Sequence, residues 1–210
     1  MYHYWYKLVR ATPFSTDMNW PQGLLNVFNI ARNYDQNVSL ESRYYGPYTS
    51  LLNYTLVDGF FSFFVSPQIT RDEDSPFEVP DPVVSLVVFN WEHKPVLFAQ
   101  IKHDAWANNS STRLKADTLI RNQYDDMLFD CPIPQLYGLS LLGTSLRIYC
   151  GDTITGKVTP NPIDLPNGKY DLPHNFLVGE WNLDILSLDG LKKMQQIIAY
   201  IKMEAANIMG

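Results

Sequence analysis

The chain has 210 residues, 46% of them hydrophobic and 18% charged, a balance that supports one sizeable core and excludes a disordered, collagen-like or disulfide-stapled polypeptide. Sixteen basic against 22 acidic residues leave a net charge of −6, which argues against coating nucleic acid by charge alone but allows a local basic groove. No apolar run approaches the roughly 20 residues of a membrane span, and Met1-Tyr2-His3-Tyr4-Trp5-Tyr6-Lys7 lacks the order of a secretion signal, so an intracellular chain, cytoplasmic or nuclear, with no membrane partner is expected.

Trp20-Pro21 opens a helical pattern in which Leu24, Phe28 and Ala31 recur at i+3/i+4 steps, part of an N-terminal helical extension reaching about residue 38. Ser39 is expected to cap a second helix with an apolar face of Leu40, Tyr44, Tyr48, Leu51, Leu52 and Thr55, which Pro47 kinks or restarts after Gly46. Gly59 to Val65 reads as a strand closed by Pro67, followed by an acidic loop from Arg71 to Pro76. Val83 to Phe89 and Val96 to Ile101 have hairpin spacing and are apolar on both faces, the pattern of central strands in a covered sheet.

Ser111 to about Phe129 reads as a helix with Arg113, Asp117 and Arg121 on one stripe. Strands Gln135–Leu141 and Leu146–Cys150 flank a turn at Gly143, a Pro/Gly/Asn-rich loop runs from Thr159 to Gly168, and a last helix is capped near Asp189, burying Leu191, Met194, Ile198 and Ile201. Cys131 and Cys150 form no metal-binding pattern and read as small buried hydrophobes. The order predicts one α/β domain over 1–210 with a central mixed sheet flanked by helices.

The hairpin brings the chemistry together. With its turn centred between Glu92 and His93, residues whose numbers sum to 185 face one another, so Asp81 faces Asp104 and Val83 faces Lys102. Alternation then puts Gln100, Lys102, Asp104 and Asp81 on one face. A carboxylate near a lysine, with an oxygen donor two residues before that lysine, suits metal-assisted phosphodiester hydrolysis: oxygens hold the ion and the ammonium steadies nucleophile and growing charge. The competing reading is two strand ends surfacing into water, and a register slip of one residue would move Asp81 to the other face.

Pro80-Asp81, followed after 18 residues by Gln100-Ile101-Lys102, resembles the signature of the PD-(D/E)XK nuclease superfamily in its Gln-x-Lys variant, found also in Mrr-like restriction enzymes. Further segments are similar, in order, to a group of fungal PD-(D/E)XK-like proteins: Glu41-Ser42-Arg43-Tyr44-Tyr45-Gly46-Pro47, Pro67-Gln68, Ala116-Asp117 with Arg121, Leu136-Tyr137-Gly138-Leu139-Ser140 with Gly143-Thr144, and Trp181. The likeness spans residues 39 to 205 or so.

The resemblance implies a restriction-endonuclease-like core and a nuclease using Mg²⁺ or Mn²⁺ on DNA. It implies that Asp81 ligates the metal, that Gln100 adds its side-chain oxygen beside the Ile101 carbonyl, and that Lys102 positions the water. It further implies that Glu41 supports the site from the first helix and that Arg113, Arg121 and Gln123 lie where such folds present phosphate-contacting groups to nucleic acid. Each has a plainer counterpart: Glu41 favours a helix start electrostatically, and Arg113, Asp117 and Arg121 also read as a solvated ion ladder. Two departures stand out. Gln100 replaces the usual carboxylate and so lowers the site's charge, and Leu119 occupies a helix position where the fungal group has Gln. Three functions remain open: a metal-dependent nuclease; a catalytically degenerate nuclease fold acting as a nucleic-acid- or protein-binding module, alone, as a homo-oligomer or in a larger complex; and a structural or sugar-binding protein using its many aromatics.

Overall fold

A mixed, open sheet organises the chain. The computed structural model describes residues 14–33, 41–56, 62–71, 82–164 and 172–209, and among these are four α-helices and seven strands. The strands are β1 (Phe63–Arg71), β2 (Pro82–Asn90), β3 (Pro95–Lys102), β4 (Gln135–Leu142), β5 (Ser145–Asp152), β6 (Val158–Thr159) and β7 (Leu183–Asp184). They lie in the order β1-β2-β3-β4-β5-β6, with β7 also on β5. Neighbours are antiparallel except β3 and β4, which run parallel. Parallel strands need a crossover, and the helix α3 (Ser110–Met127) supplies it.

The β2–β3 hairpin has the expected register: Ser85 faces Gln100, Leu86 faces Ala99, Val87 faces Phe98 and Val88 faces Leu97. A bulge between Val88 and Phe89 then shifts the pairing near the turn. Asn90 organises that turn, its side-chain oxygen accepting from the N–H of Glu92 (3.1 Å) and of Lys94 (2.9 Å). Every residue of β3 is buried, because helices cover both faces of the sheet.

The helix α3 lies on one face, its Tyr124 ring edge-on to Phe98 and over Gly138 and Gly151. A methyl group on either glycine would come within 2.8 Å of those rings, so the close approach of helix to sheet requires glycine. The opposite face carries α4 (Leu188–Met209), whose Tyr200 packs on Tyr137. Beside α4 lies α2 (Tyr45–Leu56), and α1 (Gln22–Asn33) packs on α2. The start and end of the chain interlock: Trp20 Nε1 donates to the Ile185 carbonyl (2.9 Å), and Gln195 Nε2 to the carbonyls of Phe14 (3.0 Å) and Asp17 (2.8 Å).

Four expectations are corrected. Pro67 lies inside β1 instead of closing it; β1 is the end strand of the sheet order, where a missing N–H costs no ladder bond on the outer side. The second helix begins as a 3-10 turn over Glu41–Tyr44, and Pro47 falls in the first turn of α2, where proline is tolerated. Ser187, not Asp189, caps α4, its hydroxyl accepting from Gly190 N (3.0 Å). Asp104 does not extend the face of β3; it opens a 3-10 helix, Asp104–Asn108. The expected cap Ser39, the Gly59–Phe61 stretch and the acidic loop beyond Arg71 lie outside the described residues. Among the described residues no helix is long and apolar enough to cross a membrane.

Candidate functional site

A row of buried polar side chains crosses the sheet beneath α3. Ser85 on β2, Gln100 on β3, Ser140 on β4 and Arg147 on β5 are register partners in turn, and all four are buried. Buried polar groups demand partners, and three of the four have them. Ser85 donates to Gln123 Oε1 of α3 (3.1 Å), Ser140 accepts from Trp181 Nε1 (3.1 Å), and Arg147 pairs with Asp117 (2.9 Å) and Glu180 (3.1 Å). Gln100 is the exception: at 1% exposure, neither its Oε1 nor its Nε2 has a hydrogen-bond partner among the described residues.

Two residues on, at the end of β3, Lys102 shares that face. Its ammonium lies 3.1 Å from Glu41 Oε2 and 3.3 Å from Oε1, and 5.1 Å from the centre of the Trp106 ring. Lys102 is 5% exposed, so the cation is desolvated and its partners matter more than at a surface. Tyr45 donates to Glu41 Oε1 (2.9 Å); burial, then the neighbouring carboxylate, pushes its phenol well above the usual tyrosine range. The Lys102 carbonyl accepts from Gly143 N (2.9 Å), and the Gly143 carbonyl accepts from Tyr48 (2.7 Å). This fixes the end of β3 from below.

The fold therefore brings Lys102 to Glu41, with Gln100 two residues earlier on the same face of β3 and Ile101 between them buried in the hydrophobic core. Asp81 lies outside the described residues. For the divalent ion that the resemblance implies, the donor chemistry fits: an unengaged amide oxygen and a carboxylate are hard oxygen ligands, and the orphaned Gln100 oxygen is the free one. Among the described residues no group of three or more His, Cys, Asp and Glu side chains gathers at one point.

The helix α3 puts the other expected residues to use inside the fold. Arg113 is buried and spends its donors on carbonyls of Phe176 (2.8 Å), Ala107 (2.6 Å) and His174 (2.7 Å). It holds down the segment Leu172–Trp181, whose Phe176, Leu177 and Trp181 pack on Ala116 and Leu142. Through Trp181 on Ser140 and this cluster on Leu142, the segment covers the register partners of both Gln100 and Lys102. Gln123 is buried against Ser85. Arg121 is bound to Asp117 (2.8 Å) and the Pro160 carbonyl (2.9 Å). The Arg113/Asp117/Arg121 stripe is no solvated ladder: Asp117 is buried, and accepts from Arg121, Arg147 and Tyr149 (2.6 Å).

His103 has a structural task. Its Nδ1 accepts from Ala105 N (3.0 Å), capping the 3-10 helix, and its Nε2 meets Arg43 Nη2 (3.1 Å). Sequence reasoning missed the polar row. Ser85, Ser140 and Arg147 become visible as a set only when strand order and register are known, although alternation of polar residues within apolar strands carried a faint signal. No known family model matches the chain, and neither a curated protein nor a solved structure matches it.

Proposed function

We propose that the protein is a metal-dependent nuclease with a restriction-endonuclease-like core, acting on DNA by hydrolysis of a phosphodiester bond. The observation that carries this reading is the buried, unpartnered amide of Gln100 two residues before Lys102, whose ammonium meets Glu41. An orphaned buried amide is costly and persists where it serves something other than stability. On this reading Gln100, Glu41 and Asp81 would hold a Mg²⁺ ion, which when bound would supply polarisation of the scissile phosphate and a water of lowered pKa. Lys102 supplies a fixed positive charge where negative charge develops, and Glu41 and Trp106 hold it there. The Leu172–Trp181 segment excludes water from this face.

The test is cleavage of supercoiled plasmid and of labelled single- and double-stranded oligonucleotides with Mg²⁺, Mn²⁺ or EDTA, comparing wild type with Lys102→Met and Gln100→Met. Metal-dependent cleavage that falls by two orders of magnitude or more in folded variants supports the reading. Cleavage that survives both substitutions, or is absent with every metal, sinks it.

A second reading is favoured by one observation: Gln100 and Lys102 are almost fully buried, and Lys102 is already paired. On that basis the chain keeps a nuclease-type fold as a binding module for nucleic acid or protein. Oligonucleotide binding without cleavage, indifferent to metal and to Lys102→Met, would select it.

A further inference from the structure

The two side chains that carry the nuclease reading are shut away from any substrate. Gln100 and Lys102 are buried, so a phosphodiester reaches them only if part of their cover moves. The strands and α3 are bound along their length by backbone hydrogen bonds, but the segment Leu172–Trp181 is not. Among the described residues its backbone bonds are internal: Phe176 N donates to the Pro173 carbonyl (2.9 Å), Val178 N to that of Asn175 (3.1 Å) and Glu180 N to that of Leu177 (3.4 Å). It can therefore shift without breaking a ladder.

Side chains hold the segment instead, and they divide at Gly179. After the glycine, Glu180 pairs with Arg147 (3.1 Å), Trp181 Nε1 donates to Ser140 (3.1 Å), and the chain runs on into β7. Before it, Phe176 and Leu177 pack on Ala116 and Leu142, with Trp106, Ala107 and Leu114 against the same cluster. Trp106 is the ring that lies over the Lys102 ammonium. Arg113 of α3 ties this part down, donating from Nη2 to the His174 carbonyl (2.7 Å) and from Nε to that of Phe176 (2.8 Å). Its Nη1 donates to the carbonyl of Ala107 (2.6 Å), in the 3-10 helix that carries Trp106. One guanidinium thus joins the cover to the turn beneath it through charge-assisted bonds.

The backbone marks where the segment bends. Gly179 has φ +81°, and a Cβ built on it meets nothing within 4 Å, so the chain turns there in open space with the conformational range of glycine. Leu177 has φ +58°, a strained backbone for a leucine, which the packing of its side chain maintains and which its release would relieve.

We infer that Leu172–Val178 is a lid that swings about Gly179, with Arg113 as its latch and Trp181 as its fixed anchor, and that its opening uncovers Lys102. Closed, Phe176 and Leu177 back the cluster that holds Trp106 over the ammonium; open, that support is gone. Under the nuclease reading the open form is the one that admits a phosphodiester backbone, and a phosphate on Lys102 draws the population toward it. The purpose of the lid rests on that reading, whereas its motion does not.

Trace acetylation with acetic anhydride, mapped by mass spectrometry and scaled to the exposed Lys157, reads the opening at Lys102 over a urea series below the unfolding transition. Hydrogen exchange of the Trp181 indole N–H, followed by NMR over the same series, reads the anchor. Lys102 labelling is expected to change little with urea, because a local opening exposes little surface, while Trp181 exchange climbs steeply with unfolding of the whole protein. Arg113→Met is expected to raise Lys102 labelling about tenfold or more, the factor lost with one hydrogen bond to a charged group. Phe176→Ala keeps the latch, serves if Arg113→Met does not fold, and is expected to act in the same direction through lost burial. Labelling that climbs with urea as steeply as Trp181 exchange, or that is unchanged in a folded variant, overturns the lid. Labelling as expected in a chain that cleaves no DNA supports the lid and counts against the nuclease reading alone.

Discussion

Lys102 and Glu41 are 61 residues apart in the chain and 3.1 Å apart in the fold, the ammonium lying within reach of both carboxylate oxygens. The lysine is nearly buried, whereas the glutamate side chain keeps 25% of its exposure. Removing one member of a fully buried pair costs about 3–5 kcal/mol, and the water at Glu41 lowers this. Lys102→Met is therefore expected to destabilise the protein by about 1–3 kcal/mol, and Glu41→Gln, which keeps a hydrogen-bond acceptor for Lys102, by less. Urea unfolding of both single variants and the double variant checks this, and a coupling near zero would contradict it.

Gln100→Met should act in the opposite direction on stability. The substitution keeps the side chain's length and removes two buried atoms that have no partner among the described residues. An unsatisfied buried polar group costs about 1–3 kcal/mol, so the variant is expected to unfold at higher urea concentration by a similar free energy. A loss of stability would mean that the amide is satisfied in solution by a group it binds.

Gly143 is the residue least open to change near the site. Its φ is +62° and a Cβ would stand 2.7 Å from the Asp104 Cβ. The left-handed backbone alone costs a residue with a side chain about 1–2 kcal/mol, and displacing Asp104 adds to that. Gly143→Ala should lower the melting temperature and, because Gly143 N holds the Lys102 carbonyl (2.9 Å), slow hydrogen exchange at Gly143 should be lost with it. A variant as stable as wild type would show that the turn relaxes freely.

Acid should unfasten the turn after β5. The Asp152 carboxylate accepts from Thr155 N (2.7 Å), Thr155 Oγ1 (2.9 Å) and Ile154 N (3.0 Å). These bonds, those of Thr155 first, hold its pKa below the ordinary aspartate value. A folded value below the unfolded one means that the contribution is complete above the unfolded pKa and is lost as pH falls through the folded one. Carboxyl-detected NMR should place the Asp152 midpoint below that of an unfolded aspartate, and Asp152→Asn should flatten the acid limb of the stability curve. A midpoint at the ordinary value would remove the effect.

Much of the sheet was legible because its signals are local. The pairing of Ser85 with Gln100 followed from two apolar runs and the turn between them, and the burial of Met194 and Ile201 followed from helical spacing. What was not legible depends on distant partners. Whether Pro67 breaks or decorates a strand depends on its strand lying at the edge. Arg113 looks like a surface cation until the carbonyls of His174 and Phe176, 61 and 63 residues away, come within reach. The Glu41–Lys102 pair was expected to converge only through a family likeness; its geometry comes from the 3-10 turn that carries Glu41, and spacing alone does not announce such a turn.

The bond from Trp20 to the Ile185 carbonyl spans 165 residues, and it sets a timetable for synthesis. Chain emerges from a ribosome at about 5–20 residues per second. Phe14 and Trp20, both buried in the finished protein, therefore wait on the order of ten seconds or more before Gln195 and Ile185 arrive to receive them. During that interval the first helix can already settle on α2, but the aromatic side chains ahead of it lack the last part of their cover, the kind of surface that holding chaperones recognise.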